Sequence, residues 1–313
     1  DNEVDLFFLH IQGSGRVELE NGEVINIGYD SQNGRKYFAI GKKGSYNSIT
    51  GNVVSELSTA PRKADVFLII GGFLITGSSN GFNQIIERDL DKKMNRTSER
   101  PIPSGRMSVN EAFIIAAVCG VVGAALLFQI NYFSGILGLL ALVMYVFLYT
   151  PMKRVSPWAV FVGAFPGAIP PMLGVLAHTG TFEGEAGFTA GLLFFIQFIW
   201  QFPHFWAIAW VLDDDYKNAG FRLLPTKKRD KATALITFIS TLILIPVSLM
   251  PTIYGFGGYY IAGLSLIAGI IFSWLALKLL LNRELIDAKR VMFCSFFYIP
   301  AVQLGLLLNF IAK

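Results

Sequence analysis

Apolar residues gather in eight long stretches, at roughly 66–86, 109–129, 132–150, 158–177, 188–210, 232–250, 259–281 and 291–312. About 20 apolar residues of helix cross a bilayer core of about 30 Å. Each run is long enough, and the interiors are nearly free of charge, with His204 the main ionisable exception. The runs are continuous and rich in Gly, Ala, Leu and Phe. They lack the ten-residue alternation of an outer-membrane barrel, so backbone groups must pair within each segment as helix.

The first 65 residues show another pattern. Val17-Glu18-Leu19 and Val24-Ile25-Asn26-Ile27 lie beside turn signals at Asn21-Gly22 and Asn33-Gly34, which predicts short strands. The expected fold is therefore an all-α polytopic membrane bundle over 66–313, preceded by a polar, β-like segment over 1–65.

Composition agrees: 53% hydrophobic against 15% charged residues excludes an ordinary soluble domain. A net charge of +4 raises nucleic acid as a partner, but the basic residues sit between apolar runs, so none is expected. Loops 87–108, 151–157, 211–231 and 278–290 hold eighteen Lys and Arg, whereas the alternate loops hold none and Lys313 comes after the last run. That asymmetry places the basic loops in the cytoplasm of a cell-membrane protein, with both ends of the chain outside. Cys119 and Cys294 each fall within a run and read as small core residues rather than a disulfide.

The chemistry-bearing residues stand at the cytoplasmic helix ends. Asn83, Glu87 and Asp91 are four apart, on one helical face, and offer the oxygens that Mg²⁺ takes beside phosphate. Asp89 falls on the other side. Next comes Arg96-Thr97-Ser98-Glu99-Arg100-Pro101-Ile102-Pro103-Ser104-Gly105-Arg106, a stiffened loop whose guanidinium groups suit phosphate. A second cluster, Asp213-Asp214-Asp215-Tyr216-Lys217, continues to Lys227, Lys228 and Arg229. Each cluster alone could be a solvated helix end. Two on one side of a bundle can converge on one diphosphate and its metal, which points to prenyl transfer inside a Phe-rich shelter.

These motifs resemble the UbiA-type intramembrane prenyltransferases. Tyr149-Thr150-Pro-Met-Lys153-Arg154, Gly163-Ala-Phe-Pro-Gly-Ala-Ile-Pro170-Pro171, Gln201-Phe-Pro-His204-Phe205-Trp206 and Asp215-Tyr216-Lys-Asn-Ala219-Gly220 are most similar to the branch that farnesylates protoheme IX, the heme o synthases. The resemblance implies transfer of farnesyl from farnesyl diphosphate to a vinyl group of heme b. It implies Mg²⁺ and diphosphate held by Asn83, Glu87, Asp91 and Asp215, the catalytic set. Arg96, Arg100, Lys153, Arg154, Tyr216, Lys227 and Lys228 would bind substrate anions, and His204 would face heme. A heme a synthase or a terminal-oxidase assembly is the implied partner, within the lipid bilayer. Glu87 stands where the family commonly has Asp. The family has nine spans where eight are visible here. Residues 1–48, with Val4-Asp5-Leu6-Phe7-Phe8-Leu9-His10, resemble a fragment of the membrane-bound lytic transglycosylase A family. Three other readings are an aromatic quinone precursor as acceptor, a transporter, and a peptidoglycan-binding role for residues 1–65.

Overall fold

The computed structural model describes the backbone of residues 15–18, 23–30 and 35–42 and of residues 63–311, with side chains described over 63–308. Expectations for the remaining residues, including Val4 to Gln12, lie outside the described residues.

The strands are β1 (Gly15–Glu18), β2 (Glu23–Asp30) and β3 (Arg35–Lys42), an antiparallel sheet in the order β1-β2-β3. Gly15 pairs with Ile27, and Glu23 with Lys42. The sheet belongs to one compact unit and residues 62–310 form the other.

Eight helices of this second unit are long and apolar enough to cross a membrane. They are α1 (Lys63–Asp91), α2 (Val109–Phe128), α3 (Tyr132–Val143, continued to Met152), α4 (Ala159–Thr179), α5 (Gly184–Val211), α7 (Lys231–Ile253), α8 (Tyr259–Asn282) and α9 (Leu285–Ile311). A short helix, α6 (Asp213–Asn218), carries the second acidic cluster. The chain is thus a multi-pass membrane protein, and all eight expected runs are helical. The first is longer than its apolar run, because α1 continues through the polar turns to Asp91.

Side-chain placement reflects a solvent that is lipid. Ile114, Val118, Val121, Ile267 and Phe297 face outward, while small residues line helix contacts. Ala116, Gly120 and Ala124 are buried on α2, and the Gly71–Gly123 pair lets α1 and α2 approach closely. Trp210, Phe221 and Phe272 are the bulkiest fully buried side chains.

One irregularity bears on the site. Residues Met144–Tyr149 form a π-helical turn between α3 and Thr150–Met152, and the Thr150 N–H donates to the Tyr145 carbonyl five residues back. Such turns insert a residue into an α-helix and rotate the turns beyond it. Pro151 lacks an N–H, so the helical ladder here is already one donor short.

Candidate active site

The buried stripe of α1 runs Ile75, Ser79, Asn83, Glu87, Asp91, a four-residue spacing that keeps one face inward. Asp89 points away and is exposed. The two carboxylates are almost wholly withdrawn from solvent, Glu87 at 3% and Asp91 at 0%. Buried carboxylates require cations, and each has one from a loop. Lys153 Nζ lies 2.7 Å from Glu87 Oε1 and 2.8 Å from Oε2. Arg100 Nη1 donates to Asp91 Oδ2 at 2.9 Å. The backbone carbonyl of Asp91 accepts from Thr97 Oγ1 at 2.9 Å, which ties the Arg100 loop to the helix end.

The segment around Lys153 is zipped to α1 in register. Thr150 meets Asn83 and Lys153 meets Glu87, three residues apart on one side of the zipper and four on the other. Arg154 donates to the Ile86 carbonyl at 2.6 Å from an exposed position, so it ties backbone rather than lining the buried stripe. The Tyr149 ring lies 4.9 Å from Lys153 Nζ. Tyr149 reaches that place because Gly163 offers no side chain: a Cβ there would meet the ring at 2.6 Å. Burial pulls the Lys153 ammonium below the ordinary lysine range, with Glu87 opposing that shift.

The second cluster folds over the first. Phe221 is buried 5.6 Å from Lys153 Nζ, and its N–H donates to the Tyr216 carbonyl at 2.8 Å. The Tyr216 phenol feels the charges of Arg96, Glu87 and Arg100. Burial pushes that phenol up from its usual value, with Arg96 pulling it down, so Tyr216 is a neutral donor. Arg96, Arg100, Lys153 and Tyr216 therefore share the electrostatic surroundings of Glu87 and Asp91.

The three adjacent aspartates have separate fates. Asp213 is buried and paired with Lys217 and Arg229, and Asp214 accepts from Arg229 Nη1 at 3.0 Å. Among the described residues, the half-buried Asp215 carboxylate makes no hydrogen bond or ion pair with the protein. Arg229, whose Nε donates to the Trp210 carbonyl at 2.7 Å, neutralises the cluster, a role the sequence did not distinguish from those of its basic neighbours. Lys228 is exposed, while Lys227 lines a groove of about 770 Å³ between α4, α5 and α7 with Trp158, Phe161, Phe202 and Trp206. Asn83, Glu87, Asp91 and Asp215 are not part of that lining.

His204 sits within α5, 8% exposed and stacked on Trp200 at 4.3 Å between ring centroids. Its Nδ1 lies 2.8 Å from Ser295 Oγ on α9. Because the Ser295 hydroxyl donates to the Met292 carbonyl, its oxygen can only accept from the ring. Nδ1 then carries the proton and Nε2 the lone pair.

Among the described residues, no three His, Cys, Asp or Glu side chains form a ready chelate. The donor set still fits a Mg²⁺. Asp91 Oδ1 is buried without a hydrogen-bond partner, Glu87 Oε1 meets only the Lys153 ammonium, and carboxylate oxygens beside phosphate and water are what that ion takes.

Residues 49–299 match the model of the UbiA prenyltransferase family. The chain belongs to the UbiA family. Residues 1–48 match the MltA specific insert domain. A protoheme IX farnesyltransferase of Cytophaga hutchinsonii is 46% identical over 267 residues, covering 85% of this chain and 92% of the relative. One from Flavobacterium psychrophilum is 47% identical over 248 residues, covering 78% and 81%. The UbiA fold is seen in a digeranylgeranylglyceryl phosphate synthase structure at a TM-score of 0.68 and 19% identity, covering 86% and 93% of the two chains. A UbiA homolog from Archaeoglobus fulgidus bound to GPP and Mg²⁺ aligns at 0.57 and 15% identity, covering 79% and 89%. As a UbiA member the chain is a membrane-embedded prenyltransferase by family, and its buried carboxylate stripe lies within the matched region.

Proposed function

We propose that this protein transfers the farnesyl group of farnesyl diphosphate to a vinyl group of heme b, giving heme o. The observation that carries this reading is the pair of buried carboxylates on α1, Glu87 and Asp91, each with a loop cation and with Asp91 Oδ1 left without a hydrogen bond. The similarity to farnesyltransferases of protoheme IX supports heme as the acceptor.

Asn83, Glu87 and Asp91, with Asp215 from the second cluster, would hold Mg²⁺. When bound, that ion neutralises charge developing on the leaving diphosphate. Arg96, Arg100 and Lys153 supply positive charge to the same oxygens, and Tyr216 donates its phenol hydrogen. The allylic carbon–oxygen bond breaks with its electron pair on the diphosphate. The vinyl π electrons of heme form the new carbon–carbon bond, and the cation left on the porphyrin side takes up water and loses a proton. Tyr145, Tyr149 and Phe221 present aromatic faces beside the site, which shield an allylic cation from bulk water.

His204 is assigned to heme. Its protonated Nδ1 is spent on Ser295, so Nε2 is the atom free to contact iron or a porphyrin edge. Lys227, Lys228 and Arg154 are the cations assigned to heme propionates. The active site faces the cytoplasm of the inner membrane, residues 1–65 stand outside as a separate domain, and heme o passes to a heme a synthase or a terminal-oxidase assembly.

The test is direct. Membranes containing the protein, given heme b, farnesyl diphosphate and Mg²⁺, should yield heme o by mass spectrometry, and an Asp91→Ala variant should not. No product above the Asp91→Ala control refutes the reading. A farnesylated aromatic quinone precursor in place of heme o would move the acceptor and keep the site.

A further inference from the structure

Asn83 differs from its neighbours on the stripe. It is neutral, and only one end of its carboxamide can bind a cation. An asparagine placed to ligate a metal must hold Oδ1 toward the ion and Nδ2 away from it.

Thr150 makes that choice. Asn83 Nδ2 donates to Thr150 Oγ1 at 3.1 Å, and Thr150 Oγ1 donates to the Tyr145 carbonyl at 2.9 Å. A hydroxyl has one proton. Thr150 has committed its own to Tyr145, so toward Asn83 it presents lone pairs alone. The reversed amide would set Oδ1 against those lone pairs with no hydrogen between them. Thr150 is wholly buried and Asn83 is 6% exposed, so water does not substitute for the lost bond.

The π-helical turn makes the arrangement possible. It directs both the backbone N–H and the hydroxyl of Thr150 at the same Tyr145 carbonyl. π-turns recur at functional sites, where they re-aim side chains. Here the turn sets Thr150 against Asn83 and, one turn on, Lys153 against Glu87.

We infer that Thr150 is a positioning residue, which fixes the Asn83 carboxamide with its oxygen turned to the metal–diphosphate site. This role rests on the metal reading of the proposed function and deepens it. Partners behind metal ligands typically control affinity by 10–100-fold.

The test uses the full chain in nanodiscs with Mn²⁺ as the spin-active substitute for Mg²⁺, and measures Mn²⁺ affinity by electron paramagnetic resonance in the presence of inorganic diphosphate. Thr150→Val should weaken Mn²⁺ binding about tenfold, the low end for such partners. Thr150→Ser, which keeps the hydroxyl, should stay near the wild-type value. Asn83→Asp offers an oxygen at either end, so adding Thr150→Val to it should change affinity little. Should Thr150→Val fail to fold, Thr150→Ala carries the same comparison without the branched side chain. Unchanged Mn²⁺ affinity in a folded Thr150→Val or Thr150→Ala protein overturns the inference. So does an equal loss with and without the Asn83→Asp substitution, which marks a merely structural role. Absence of diphosphate-dependent Mn²⁺ binding in the wild type, by contrast, strikes the metal reading itself.

Discussion

Lys153 Nζ stands 2.7 Å from Glu87 Oε1, joining the turn after Met152 to the polar end of α1 across a separation of 66 residues. Both side chains are buried, so the pair is a local charge balance on which the rest of the site depends. Removing either member leaves an uncompensated charge in a low-dielectric setting.

Glu87→Gln or Lys153→Met should therefore each destabilise the protein by about 3–5 kcal/mol, the usual cost of breaking a buried pair. The double variant should lose less than the sum, because neither charge remains unmatched. Thermal unfolding of the three proteins in one detergent checks this, and additive losses would mean the pair is not coupled.

His204 and Ser295 should control heme and leave diphosphate alone. Ser295→Ala removes the acceptor that keeps the proton on Nδ1, and His204→Ala removes the ring. Titrating heme b by its Soret band should show weakened binding, about tenfold for His204→Ala by analogy with lost metal partners. Farnesyl diphosphate affinity should stay unchanged. Equal losses for both substrates would assign His204 to packing between α5 and α9.

Asp230 offers a pH signature at the start of α7. It caps α7, accepting from the Thr233 N–H at 2.8 Å, and that bond holds its carboxyl below the ordinary value of 3.8. A depressed pKa stabilises the fold above the unfolded value, and that contribution is lost as pH falls through the folded one. Asp230→Ala should cost about 0.5–1 kcal/mol, the lower part of the range for an N-cap, since the position is partly exposed. Asp230→Asn should keep the cap and flatten the dependence below about pH 4, where an ordinary Asp titrates. Acid unfolding curves of the three proteins measure it.

Gly163 is the position where a single methyl should disturb the site from outside. Its added Cβ would press on the Tyr149 ring, which packs beside Lys153. Gly163→Ala should lower farnesyl transfer more than it lowers the melting temperature, since the ring moves before the helices part. A fall in melting temperature with full activity would contradict this.

The membrane spans were legible because a bilayer imposes a length and an apolar composition that few other structures share. The α1 stripe was legible for a similar reason: Asn83, Glu87 and Asp91 repeat at the helical spacing. The loops were harder. No local pattern says that Lys153 rather than Lys92 meets Glu87, or that Arg229 rather than Lys227 meets Asp213 and Asp214, since those pairings depend on tertiary contact. Thr150 stands within a motif of the resemblance, but nothing in its sequence gives it a role of its own, because it looks like a helix residue before Pro151. Its role comes from a π-turn whose bonds the sequence does not announce.

In the proposed enzyme, the stripe on α1 and the second acidic cluster clasp one metal-bound diphosphate. An experimental structure with Mg²⁺ and a non-hydrolysable farnesyl diphosphate analogue tests this most directly. The ion should lie between Asn83, Glu87 and Asp91 on one side and Asp215 on the other, with Arg96, Arg100 and Lys153 on the diphosphate oxygens. A ligand bound elsewhere, or Asp91 and Asp215 too far apart to reach it together, would contradict the shared clasp.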